Sequence, residues 1–96
     1  MSLPPGLAPY KRTPVFTEAT VPQGLLKDHS TAPGVWGLIH VEAGRLRYRG
    51  TDPAGPPSEQ VLTPKNAPGV VVPMILHHVE PLGPVRFSVE FWRAPA

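Results

Sequence analysis

The chain has 96 residues, nine Lys and Arg against seven Asp and Glu, and no cysteine. One small domain with a modest core is the expected size class. The formal charge of +2, thinly scattered, gives little support to a nucleic-acid partner, and disulfides, thiolate metal sites and a cysteine nucleophile are excluded, leaving His, Asp and Glu as ligands.

No apolar run approaches the roughly 20 residues of a membrane-spanning helix. The first residues lack the charged and apolar regions of a secretory signal, so a cytoplasmic protein is expected. Fifteen prolines and nine glycines punctuate short apolar runs in a chain that is 41% hydrophobic, the pattern of a turn-rich β domain.

Residues 1–9 form a Pro-rich lead-in, and a single β domain is expected over 10–96. Tyr10 to Phe16 reads as an edge strand because Pro14 cannot donate to a ladder. Thr17–Pro22 is a turn, and Leu25–His29 a short strand that stops at Pro33-Gly34. Val35–Glu42 is the clearest strand: Val35, Ile39 and Val41 share one face, Trp36, Leu38 and His40 the other. Both faces are largely apolar, as for a strand covered by a core and by a partner. Ala43-Gly44 is expected to make a tight connection to the alternating Arg45–Arg49, giving a β-hairpin. Residues 50–58 form a loop, followed by strands at Glu59–Thr63 and Val70–Val72. Pro73–Glu80 comes next, the chain turns at Pro81–Pro84, and an alternating strand closes it from Val85 to Trp92. No helical period of useful length occurs. The count is roughly seven to nine short strands at intervals of about 8–12 residues, the pattern of an antiparallel sandwich or barrel.

Several of these stretches together resemble a known family. His29-Ser30-Thr31, Pro33-Gly34-Val35-Trp36-Gly37, Gly44-Arg45-Leu46-Arg47-Tyr48 and Pro73 through Glu80 occur in the order found in a small cupin-like domain of unknown function. That domain is found alone and as the N-terminal part of tellurite-resistance methyltransferases. Lys11-Arg12-Thr13-Pro14 and the closing aromatic strand fit it too, so the resemblance runs from about Tyr10 to Arg93. It implies an all-β fold, a double-stranded β-helix or jelly-roll barrel, with a site in its mouth. His29 stands where the first histidine of the first cupin motif falls, and His77 where the histidine of the second falls. Glu80 follows in the pattern of this subfamily. Thr31 replaces the second histidine of the first motif, and the usual glutamate is missing. No methyltransferase segment or glycine-rich cofactor loop accompanies the resemblance, so methyl transfer is not expected of these residues.

The candidate metal ligands are therefore His29, His77 and Glu80. Two imidazoles and a carboxylate suit zinc, or iron, nickel or manganese with open positions. The competing reading of His77 is a core imidazole bonded to backbone, and that of Glu80 a salt bridge at the barrel rim. His78 alternates away from His77 and is expected outside. His40 is expected as a packed or interface imidazole, Glu90 as a surface carboxylate paired with arginine, and Arg45, Arg47 and Arg49 as a solvated stripe. Trp36 and Trp92 are expected in the core or a dimer contact.

Three functions follow as expectations. The first is a metal- or small-ligand-binding cupin-like protein linked to oxyanion or oxidative stress. The second is a metal-dependent dioxygenase or isomerase. The third is a structural module that pairs as a homodimer. No general acid, base or nucleophile constellation is visible, so no catalytic residue is assigned.

Overall fold

Two long strands carry the architecture. β3 (Trp36–Thr51) and β6 (Leu76–Arg93) run antiparallel, from Trp36 opposite Trp92 to Thr51 opposite Leu76. The computed structural model describes residues 3–51, 58–66 and 68–95. β1 (Ala8–Arg12) and β2 (Phe16–Thr17) pair with β6, while β4 (Ser58–Leu62) and β5 (Gly69–Val71) pair with β3. Together they make one six-stranded antiparallel sheet, so the chain has the expected all-β class.

The pairing of β3 with β6 is bent at its middle. The register shifts between Val41 and Ala43, and again between Gly44 and Leu46. At the second shift Gly44 faces Val85 and Leu46 faces Pro81, so three residues of β6 oppose one of β3. Such bulges bend a strand and increase its twist. Gly44 has φ +81°, and a Cβ there would overlap the Pro84 carbonyl oxygen and sit 2.9 Å from Val85 Cα. A glycine is required on both counts.

This geometry corrects the expected hairpin. Ala43-Gly44 does not reverse the chain; β3 passes straight through it, and Pro81–Pro84 lies inside β6 rather than between strands. The strands are accordingly fewer and longer than expected.

The bend brings both halves of the β3–β6 pair around one core. Ile39, Val41, Phe87 and Val89 come from one half, and Leu46, Tyr48 and Val79 from the other. Leu62 of β4 and Val71 of β5 complete it. Period-two alternation does the sorting: Leu46 and Tyr48 are buried, and Arg45 and Arg49 are exposed. Arg47 bridges Glu59 of β4 at 2.8 Å and Glu80 of β6 at 2.9 Å across the outer face.

The N-terminal segment clasps the edge of β6. β1 already begins at Ala8, inside the stretch read as a lead-in. Pro14 separates β1 from β2, but Thr13 bridges the gap. Its N–H donates to the Val89 carbonyl, and its hydroxyl accepts the Val89 N–H, both at 2.9 Å. Glu18 then accepts the Val85 N–H at 3.0 Å, which lowers its carboxyl below the ordinary value.

The strand expected at Leu25–His29 is replaced by α1 (Gln23–Leu26), a single turn following Pro22. Leu25 packs against the core from it. Only His29 of that stretch reaches a strand, through an isolated bridge to His77. The loop expected over residues 50–58 has residues 52–57 outside the described part of the chain.

Candidate functional site

His29 and His77 are brought together although 48 positions separate them in the sequence (77 − 29). Each backbone N–H donates to the other's carbonyl, at 2.9 and 2.8 Å. In an antiparallel pair such directly opposite residues send their side chains to the same face. The two rings meet edge to face, with centroids 4.2 Å apart and planes at 70°.

The tautomer of each ring follows from its partner. His29 Nδ1 lies 2.8 Å from the Lys27 carbonyl oxygen, and His77 Nδ1 lies 2.8 Å from that of Ile75. A carbonyl oxygen only accepts, so each Nδ1 carries the hydrogen and donates it. In the neutral ring Nε2 is then a bare lone pair. Tyr48 stacks on His77 at 5.8 Å and 18°. Burial pushes the Tyr48 phenol up to about 12, so it stays protonated.

Both rings line a cavity of about 360 Å³. Its walls are mostly apolar: Leu25, Ile39, Val71, Phe87 and Val89 contribute, with Thr31 beside the histidines. A mostly apolar cleft of this volume is within the range of small-molecule sites.

Backbone strain sits at the same place. Met74 has φ +65°, the only non-glycine residue with positive φ among the described residues. Its N–H donates to the Thr31 carbonyl at 3.2 Å, and the Thr31 hydroxyl donates to the Val35 carbonyl at 2.6 Å. The strained residue immediately precedes Ile75, whose carbonyl fixes the His77 ring. Left-handed backbone in a side-chain-bearing residue costs roughly 1–2 kcal/mol and persists where surrounding contacts enforce it.

The other sequence candidates lie elsewhere. His78 and Glu80 are on the opposite face of β6 from His77. His78 pairs with Asp28 at 2.7 Å, and Glu80 with Arg47 at 2.9 Å. The structure therefore does not bring Glu80 to the histidines: three residues along an extended strand is an odd step, which changes face. Glu90 accepts from the Trp92 indole at 2.9 Å, with His40 at 3.4 Å, in place of the expected arginine pairing. Burial raises the Glu90 carboxyl, but these two partners and the positive charge of Arg12, opposite it on β1, outweigh it and the net direction is down.

The donor set also tests the metal that the resemblance implies. Among the described residues no three His, Asp or Glu side chains gather as a metal cluster. Structural zinc takes four protein ligands and catalytic zinc three. Two imidazoles with no carboxylate do not fit a resident metal cofactor. Tyr48, the two carbonyls that fix the rings and the apolar walls are parts of the site that lie outside the ligand motifs. Of these, only Tyr48 carried a signal, its inward place beside Leu46.

His77 makes stability depend on pH. It is 3% exposed, and its value lies below the ordinary imidazole 6.5, first because burial disfavours the charged ring and also because His29 would repel the charge; the Ile75 carbonyl opposes both. The unfolded chain thus takes up a proton that the folded chain refuses. Stability is expected to be flat above about 6.5 and to fall as pH drops from there towards the lowered folded value, with a limiting slope of about 1.4 kcal/mol per pH unit. Urea midpoints measured against pH check this. A slope of the opposite sign, or the same slope in His77→Asn, contradicts it.

Comparison with known proteins places the fold in context. The TehB-like domain family matches residues 11–89. A probable S-adenosyl-L-methionine-dependent methyltransferase TehB of Haemophilus influenzae (strain ATCC 51907 / DSM 11121 / KW20 / Rd) is 35% identical over 74 residues, 76% of this chain and 26% of that protein. The chain therefore spans about a quarter of the length of such relatives. The crystal structure of TehB from Haemophilus influenzae superposes with a TM-score of 0.84 at 29% identity, covering 94% of this chain and 32% of the other. A protein from E. coli (strain K12) superposes over 100% of this chain and 99% of its own with a TM-score of 0.88. At 24% identity that second likeness shows the fold alone.

Proposed function

The chain belongs to the TehB-like domain family, related to tellurite-resistance methyltransferases, and from that premise we propose that it is a small-molecule-binding domain, its ligand held against the apolar walls of the cavity and anchored on His29 and His77. One observation carries this reading: two imidazoles with fixed Nδ1–H and free Nε2 on the wall of a cavity of about 360 Å³. Such a site has the usual make-up of a ligand pocket, apolar walls with a few convergent polar groups.

Binding fits the arrangement better than catalysis. Neither histidine has a carboxylate orienting it, and the carboxylates on β6 face away. The methyltransferase relatives contain much more chain than the matched quarter, so their reaction is not carried over.

The test follows the histidine Cε1–H resonances by NMR while toluene, cyclohexanol and 4-methylphenol are titrated in turn. Saturable shifts at His29 and His77 are expected, with His40 and His78 on the outer face unmoved. No saturable shift with any probe, or equal shifts at all four histidines, overturns the reading. Zinc titrated the same way is expected to bind weakly, because only two protein ligands are offered. A tight zinc complex that excludes the organic probes would contradict the small-molecule reading.

A further inference from the structure

We infer that the cavity selects a neutral ligand with an apolar body and a hydrogen-bond donor at one end, of the alcohol, phenol or thiol class, the donor meeting the Nε2 atoms of His29 and His77. The inference rests on the proposed binding function and names the class of ligand.

The argument begins with proton count. Each neutral imidazole has one N–H, and in both rings it is committed to a backbone carbonyl, Lys27 for His29 and Ile75 for His77. Both remaining nitrogens are acceptors. A ligand hydroxyl or thiol satisfies one of them directly. A carboxylate or other oxyanion brings only acceptors, so it meets lone pairs with lone pairs.

The rest of the lining gives an anion little compensation. The Thr31 hydroxyl already donates to the Val35 carbonyl at 2.6 Å. Lys11, on β1, and Ser30 are exposed, so their polar ends are served by solvent. The walls formed by Ile39, Val71, Val79, Phe87 and Val89 are apolar and offer an anion no hydrogen-bond donor. Placing a charge on His77 would mean protonating a ring that burial disfavours in its charged form, with a second imidazole at a centroid distance of 4.2 Å.

A bare hydrocarbon is disfavoured for the complementary reason. It fills the walls but leaves both Nε2 atoms without a donor. Sites built to hydrogen-bond a ligand group reject the analogue that lacks it. The order expected is therefore donor-bearing ring first, plain ring second, anionic ring last.

Isothermal titration at about pH 8, where a phenol keeps its proton and a benzoic acid has lost it, tests the order with three probes of one shape. 4-Methylphenol is expected to bind about tenfold or more tightly than toluene, and 4-methylbenzoate not measurably. His77→Asn keeps an N–H near the Nδ1 position but has no atom at Nε2. It is expected to remove most of the preference for 4-methylphenol over toluene. His29→Asn, at the less buried ring, gives the same reading should His77→Asn fail to fold. Equal binding of toluene and 4-methylphenol, or 4-methylbenzoate binding as tightly as either, overturns the inference and leaves the binding function standing. Absence of binding by all three probes overturns both. Unchanged preference in a folded asparagine variant assigns the discrimination to other atoms and overturns the role given to Nε2.

Discussion

Gly44→Ala is expected to be among the most destabilising single substitutions in this chain. Two independent effects add at this position. The backbone is held at φ +81°, where a side chain costs roughly 1–2 kcal/mol. The new Cβ also overlaps the Pro84 carbonyl oxygen and approaches Val85 Cα at 2.9 Å. Both obstacles are backbone of β6 at the bulge, so no rotamer change relieves them. The strands must part where the register shifts, and the long β3–β6 pairing is the frame of the core. A loss of about 4 kcal/mol or more is expected, against a total of roughly 5–14 kcal/mol for a domain of this size. Gly83→Ala is the control. Its φ is +102°, yet nothing lies within 4 Å of the added atom, so only the backbone term applies, about 1–2 kcal/mol. Thermal or urea unfolding of the two variants decides the matter; equal losses would show that the close approach at Gly44 is harmless.

Phe87→Ala is the second large effect. Phe87 is 0% exposed, packs edge to face against Phe16 at 5.7 Å, and forms part of the cavity wall. Truncating a buried phenylalanine costs about 3–5 kcal/mol. Here the vacated volume joins an existing cavity, so water or a bulkier ligand can enter it. The expected result is therefore a loss in that range together with a shift of ligand preference towards larger rings. Val61→Ala, at a site 38% exposed on β4, is expected to change stability by no more than about 0.5 kcal/mol. A small loss for Phe87→Ala would mean that Phe16 and its neighbours collapse into the space.

Much of this was legible in the sequence. Alternation at Arg45–Arg49 and Val85–Trp92 identified both strands and their inward faces, because one face is core and the other solvent. Resemblance joined His29 to His77 across the chain, which no local pattern does. Gly44 reads as a tight turn because glycine serves reversals and bulges alike. Only the partner strand, with its extra residues at Leu82–Pro84, tells them apart. The turn of helix at Gln23–Leu26 is too short to show a period. The resemblance groups Glu80 with His77, although the period-two rule that sends His78 outward sends Glu80 there as well. The carbonyls that fix the imidazoles carry no residue-specific signal at all.

The central position of β6 also governs when the protein can fold. β1, β2, β3 and His29 all take their partners from it. During synthesis those segments emerge first and wait, with β3's apolar face uncovered, until the template that orders them has been made. Closing such distant pairings is slow compared with forming local contacts. A nascent chain halted before Leu76 is therefore expected to be a substrate for chaperones and proteases rather than a partly built domain. The His29–His77 site is then among the last features to exist, formed only when the sheet has closed.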